Sequence, residues 1–180
     1  MGLKFSVQVA EVCERETLEG DSPEDFVLDN ASRKGEGVAR FHPQSLVLAA
    51  DTTVFFNSRI FNKPASLEEA HSMLEHLSGQ THEVWTGVVL LHKEHSWEDR
   101  AAVCSRVTFK ELSPATREAY FQKMDPLDKA GGYGIQEGRD LILQGLEGSF
   151  SNVMGLPCEW LEVRLKALNL LDLFQEKPVS

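Results

Sequence analysis

Asp51, Lys63, Lys129 and Gln136 have the side-chain types that suit an anionic, base-bearing ligand, and they fall in two polar clusters. One cluster is Asp128-Lys129-Ala130-Gly131-Gly132-Tyr133-Gly134-Ile135-Gln136, which sets a carboxylate, an ammonium, a glycine turn and an amide close together. Glycines let a backbone adopt positive φ and approach a ligand closely. Lys129 can neutralise phosphate oxygens, and Gln136 can both donate to and accept from a nucleobase edge. The same glycine string also reads as an ordinary loop. The other cluster is Ala50-Asp51-Thr52-Thr53, followed by Asn62-Lys63-Pro64. Ser45 to Phe56 is otherwise a nearly continuous apolar run, the pattern of a strand buried on both faces. An ionised Asp without a partner is costly to desolvate. Asp51 should therefore meet a metal, a lysine or solvent at a cleft; the plainer reading is a strand-end carboxylate that caps the next turn.

Taken with further strings along the chain, these clusters resemble the Maf family of nucleoside triphosphate pyrophosphatases. The resemblance rests on Ala50-Asp51-Thr52, Asn62-Lys63-Pro64, Leu77-Ser78-Gly79 and His82-Glu83-Val84-Trp85-Thr86-Gly87-Val88. It continues through Asp128-Lys129-Ala130-Gly131, Gly134-Ile135-Gln136 and Ser151-Asn152-Val153-Met154-Gly155-Leu156-Pro157, in the family's order and spacing. It implies a single α/β domain over residues 1–180, inosine triphosphatase-like, with a mixed central sheet, flanking helices and a substrate cleft. It also implies cleavage of a nucleoside triphosphate to the monophosphate and pyrophosphate with a divalent metal, Mg or Mn. The Tyr133-Gly134-Ile135-Gln136 string and the Asn152-Val153 pair are similar to the branch that acts on dTTP and UTP rather than on methylated guanine nucleotides. On that resemblance Asp51 is the general base, Thr52 and Gln136 contribute to substrate choice, and Lys63 contacts phosphate. Glu14 joins Asp51 at the metal, with Cys13 in place of the acidic residue usual beside it, and Lys34 matches a family lysine.

The family's usual opening, a strand, a Ser-x-Ser-Pro-Arg-Arg phosphate loop and a helix, has no counterpart in this sequence. Gly2-Leu3-Lys4-Phe5 resembles the family's segment just after that helix, and the two Ser-Pro pairs, Ser22-Pro23 and Ser113-Pro114, run on into Glu24 and Ala115. Paired arginines bind phosphate bidentately and stabilise transition-state charge. A chain beginning at Met1 is accordingly expected to be less active and less stable than one carrying that segment. A second reading is a catalytically weakened nucleotide-binding or cell-division (septum formation) regulatory protein.

The elements that would position these residues can be read locally. From Pro23 the sequence reads as a helix, with Ser22 or Asp21 as cap and Val27, Ala31, Lys34 and Val38 on one face. A lysine in such a stripe commonly snorkels to water; the resemblance turns it toward phosphate. Phe5 to Glu14 resembles the family's strand leading to the acidic position, and a strand there is what that resemblance implies. Ser66 and Glu69 form a capping box for a helix whose buried face is Leu67, Ala70, Met73, Leu74 and Leu77, ended by Gly79. Strands are expected over Glu83 to Leu91 and Ala102 to Lys110, with a polar hairpin loop from His92 to Arg100. Helices are expected from Ser113-Pro114 to about Met124, and from Pro157 with Leu161, Leu165 and Leu168 on one face. His71, His76 and His82 read as solvated or structural, and Trp85 and Trp160 as core or interface.

With 180 residues, 42% hydrophobic, the chain can form one compact core burying roughly 70% of its unfolded surface. Its net charge of -10 and lack of a basic run exclude a phosphate-backbone partner such as nucleic acid. A bound triphosphate would need local positive potential from the metal and from Lys34, Lys63 and Lys129. No apolar stretch approaches 18 residues and no export signal is legible, so no membrane partner and a cytoplasmic location are expected. Cys13, Cys104 and Cys158 are odd in number and widely spaced, which argues for packing rather than disulfides or zinc. A homodimer would fit the family.

Overall fold

The computed structural model describes residues 4–169. The Gly2-Leu3 part of the resemblance lies outside that range. The first helix, α1 (Pro23–Ala39), starts where the caps predict: Ser22 Oγ accepts from the Asp25 N–H at 3.1 Å, and Pro23 occupies the first turn. Its buried side carries Phe26, Val27, Asn30 and Ala31, and it lies against β1 (Leu46–Phe56) and β3 (Thr81–His92). That approach needs a glycine. A Cβ on Gly87 of β3 would stand 2.3 Å from the Val27 carbonyl oxygen of α1.

β1 turns back through Asn57-Ser58, both at positive φ, into the short β2 (Arg59–Phe61); this is the backbone that a two-residue hairpin of matching twist requires. Then come α2 (Leu67–Leu77), β3, β4 (Trp97–Phe109), α3 (Pro114–Phe121), a 3-10 turn over Ala130–Gly132, α4 (Arg139–Ile142), β5 (Leu143–Glu147), α5 (Phe150–Val153) and α6 (Cys158–Ala167). The five strands run in the order β2-β1-β3-β4-β5. The class is α/β, as expected, but every pairing among the described residues is antiparallel rather than mixed. Hairpins join β1 to β2 and β3 to β4, and among the described residues no long crossover returns a strand parallel to its neighbour.

The largest apolar cluster joins α2 and α3 to the sheet through Leu74, Leu77, Val84, Val107, Phe109 and Tyr120. A smaller one seats α1 through Ala31, Val47, Val89 and Leu91. A third seats α6 through Leu161 and Leu165 on Leu90, flanked by Trp160. No helix among the described residues is long and apolar enough to cross a membrane.

Several local expectations are corrected. Phe5 to Glu14 forms no strand: nothing among the described residues pairs with it, and Phe5, Val7 and Val9 stand exposed. The polar stretch His92 to Arg100 is mostly strand, because Glu98 and Arg100 sit exposed while pairing continues to His92 opposite Trp97. The loop is therefore only residues 93–96. The capping box at α2 reaches one residue further back than expected: Ser66 Oγ accepts from the Glu69 N–H, but Glu69 Oε2 accepts from the Ala65 N–H at 2.7 Å. Leu67, placed on the buried face, is exposed at the first turn. α3 ends at Phe121, short of Met124. Leu168 caps α6 rather than continuing it. β1 is not buried on both faces; Ala49 to Thr52 are half-buried, because one side of the strand opens to a cleft there. Cys13 is exposed rather than packed, and all three cysteines are free.

Candidate active site

β2 pairs with β1 only at Val54–Phe56, so the edge of β1 at residues 50–53 has no strand partner on that side among the described residues. A cleft of about 1390 Å³ opens along that edge. Glu14, Lys34, Asp51, Thr52, Lys63, Lys129 and Gln136, the residues singled out from the sequence, all line it. Adjacent residues of a strand point to opposite faces. Asp51 accordingly turns toward α1, and Thr52 toward Thr86 and the α5 side.

On the α1 side, Lys34 Nζ lies 2.6 Å from Asp51 Oδ1 and 2.8 Å from Glu14 Oε2. Asn30, one turn before Lys34, donates from Nδ2 to Asp51 Oδ2 at 3.4 Å. The same amide accepts from the Arg15 N–H at 2.8 Å and donates to the Arg15 carbonyl at 3.1 Å, which fixes the backbone that carries Glu14. Burial lifts the Asp51 carboxyl above its ordinary range, and Lys34 and Asn30 pull only partly against that. Burial works against charge on Lys34 too, but its bonds to Asp51 and Glu14 outweigh it, and the ammonium is held above its usual value.

Two carboxylates converging on one cation suit a hard divalent ion, since Mg²⁺ is commonly held by one or two carboxylates with substrate phosphates completing its shell. Among the described residues no group of three or more His, Cys, Asp or Glu forms a closed metal site. The donor set therefore fits an ion shared with a ligand.

On the other side of the cleft, the backbone N–H of Gly131 donates to the Asn62 carbonyl at 3.1 Å, and Asn62 Nδ2 donates to the Glu16 carbonyl at 2.9 Å. Asn62 thus staples together the three segments that carry Glu14, Lys63 and Lys129. Lys63 is exposed, and Lys129 Nζ pairs with Asp128 at 2.9 Å, so both ammonium groups remain in the solvated part of the cleft. The loop before Gln136 is held at successive residues. Tyr133 Oη meets His82 Nε2 at 2.7 Å, Tyr120 Oη donates to the Gly134 carbonyl and accepts from its N–H, and Ile135 is buried. Gln136 then projects exposed into the cleft.

Burial drives His82 down to about 3, so it is a neutral scaffold residue, as expected. His71 faces Phe121 edge-on and His76 Nδ1 sits 2.7 Å from the Ser72 carbonyl; neither reaches the cleft. Asn30 was missed from sequence. Its signal was a polar residue one turn before Lys34 on an otherwise apolar helix face.

The family model described as Maf-like protein matches residues 1–168. A Bacillus cereus protein named dTTP/UTP pyrophosphatase is 40% identical over 172 residues, covering 94% of this chain and 82% of its own. One of the same name from Bacillus cytotoxicus is 43% identical over 165 residues, covering 90% and 83%. Another, from Bacillus anthracis, is 40% identical over 172 residues, covering 94% and 87%. With a family match of that extent and relatives of that identity, the chain belongs to the Maf family.

Proposed function

We propose that the protein hydrolyses dTTP and UTP to the nucleoside monophosphate and pyrophosphate. The observation that carries this reading is the Glu14–Lys34–Asp51 constellation on the open edge of β1, with Thr52 and Gln136 in the same cleft. The names of the Bacillus relatives point to the same substrates. In the proposed reaction, a water oxygen bonds to the α-phosphorus, the bond from that phosphorus to the α,β-bridging oxygen breaks, and pyrophosphate leaves.

Asp51 takes the water proton. A raised carboxyl is better matched to that task near neutral pH than an ordinary one. Glu14 and Asp51 would hold a divalent cation, Mg²⁺ or Mn²⁺, which when bound draws negative charge off the phosphate oxygens. Lys34 keeps the two carboxylates together. Lys63 and Lys129 offer exposed ammonium groups to the outer phosphates, and Thr52 and Gln136 meet the base. Incubation with dTTP or UTP and Mg²⁺ should release pyrophosphate; orthophosphate as the sole inorganic product would overturn the reaction assignment, and preference for a methylated guanine nucleotide would overturn the substrate assignment.

A further inference from the structure

Thr52 is joined through Thr86 to a buried hydrogen-bond network that anchors Asn152. A hydroxyl has one proton to donate. Ser105 Oγ donates to the Ser149 carbonyl at 3.0 Å, so it receives both the Ser149 N–H and Asn152 Nδ2, each at 3.0 Å. The second Asn152 amide proton goes to the Val84 carbonyl at 3.1 Å. The Asn152 backbone carbonyl can only accept, and Thr86 Oγ1 donates to it at 3.1 Å. Thr86 has then spent its proton. Thr86 Oγ1 and Thr52 Oγ1 are 2.8 Å apart, and the arrangement that makes this bond together with the one to the Asn152 carbonyl has Thr52 as the donor.

Thr86, Ser105 and Asn152 are 0%, 1% and 0% exposed, so Thr86 has only the Thr52 oxygen and the Asn152 carbonyl to bond. In that arrangement Thr52 Oγ1 offers the cleft lone pairs and no proton. The space beside it is kept by Gly155, where a Cβ would stand 3.6 Å from that oxygen.

We propose that Thr86, acting through Thr52, is a specificity-determining positioning residue that selects bases with a proton on N3. Uracil and thymine present an N3–H that an obligate acceptor can receive. Cytosine presents a bare N3 lone pair, which meets the Thr52 oxygen acceptor to acceptor. Gln136 cannot make this distinction alone, because its amide carries both a donor and an acceptor and can turn to suit either base. Thr86 is fully buried and touches no ligand; its role is to absorb the Thr52 proton. The inference rests on the proposed reading of the cleft as a pyrimidine nucleotide site.

Its test is made on binding as well as turnover, using non-hydrolysable α,β-methylene analogues of UTP and CTP by calorimetry alongside kcat/KM for the natural pair. Wild type should favour the uridine member. In Thr86→Val, which keeps shape but frees the Thr52 proton to rotate, the uridine-to-cytidine ratio should fall by roughly tenfold, the worth of about one hydrogen bond. Most of that change should come from improved cytidine binding, and Thr86→Ser should restore the ratio. For wild type alone, the triphosphate of 3-deazauridine, uridine-shaped but with carbon in place of N3, should bind as weakly as CTP. An unchanged ratio in Thr86→Val, no rescue by Thr86→Ser, or 3-deazauridine triphosphate binding as well as UTP would overturn the proposal. Failure of wild type to release pyrophosphate would instead overturn the reaction assignment and leave the binding comparison intact.

Discussion

Replacing Lys34 with Met removes the cation from a cluster in which Asp51 is only 10% exposed and Lys34 itself 25% exposed. The methionine keeps the volume of the stem in the α1 stripe, so the loss is electrostatic rather than a cavity. Asp51 keeps one weak donor, Asn30 at 3.4 Å, and faces Glu14 with nothing between them. Breaking a buried pair costs about 3–5 kcal/mol. The quarter of Lys34 that is in water puts the cost below that range, at about 2–3 kcal/mol at neutral pH. For a chain of this size that is a fall in Tm of roughly 5–10 °C.

The sign with pH is set by the two shifts. Lys34 has a raised folded value, so loss of its own proton costs stability only at strongly alkaline pH, and any change in acid comes from its partner. Asp51 has a raised folded value because its charge is costly to bury, and without Lys34 that value climbs further. Acid should therefore relieve Lys34→Met by protonating Asp51. Thermal unfolding followed by circular dichroism at pH 8 and pH 5 should show a large deficit at the first and a smaller one at the second. A deficit that is absent at pH 8, or that persists unchanged at pH 5, would refute the electrostatic account of this cluster.

His82 is buried neutral at about 3 against 6.5 when unfolded, so between those values the unfolded chain binds the extra proton and stability falls as pH falls. Its share is a slope of up to about 1.4 kcal/mol per pH unit. Urea unfolding between pH 6.5 and 4.5 should be less steep in pH for His82→Gln, and an equal slope would count against it. Gly87→Ala forces a Cβ to 2.3 Å from the Val27 carbonyl, a backbone atom that yields only if α1 lifts. Overpacking of this kind costs about 1–3 kcal/mol. Because α1 carries Asn30 and Lys34, activity should fall with stability, and a variant matching wild type in Tm would show that the approach is not tight.

Much of the scaffold was legible because its signals are local. Ser22-Pro23 and Ser66 with Glu69 mark the starts of α1 and α2 within a few residues of where they act. The apolar run broken at Asp51 announced a strand beside a cleft. What stayed hidden depends on partners distant in sequence. Asn30 meets Asp51 across 21 positions and Thr86 meets Asn152 across 66, and no spacing rule reaches that far. The alternation of Phe5, Val7 and Val9 has the period of a strand, but none of the described residues pairs with it, and period alone makes no strand. β5 is short and irregular, with a shift at Thr108/Phe109, and its composition gave no strand signal.

The most direct test of the central claim is pyrophosphate release from UTP by wild type and Asp51→Asn, with UTP binding measured on both. Asparagine keeps the size and hydrogen bonding of Asp51 but cannot take the proton from water. The rate should fall by about 10² to 10⁴-fold, the usual contribution of a general base, while binding survives. A folded Asp51→Asn variant that releases pyrophosphate within about threefold of wild type would contradict the assignment, because so small a change is far below that contribution.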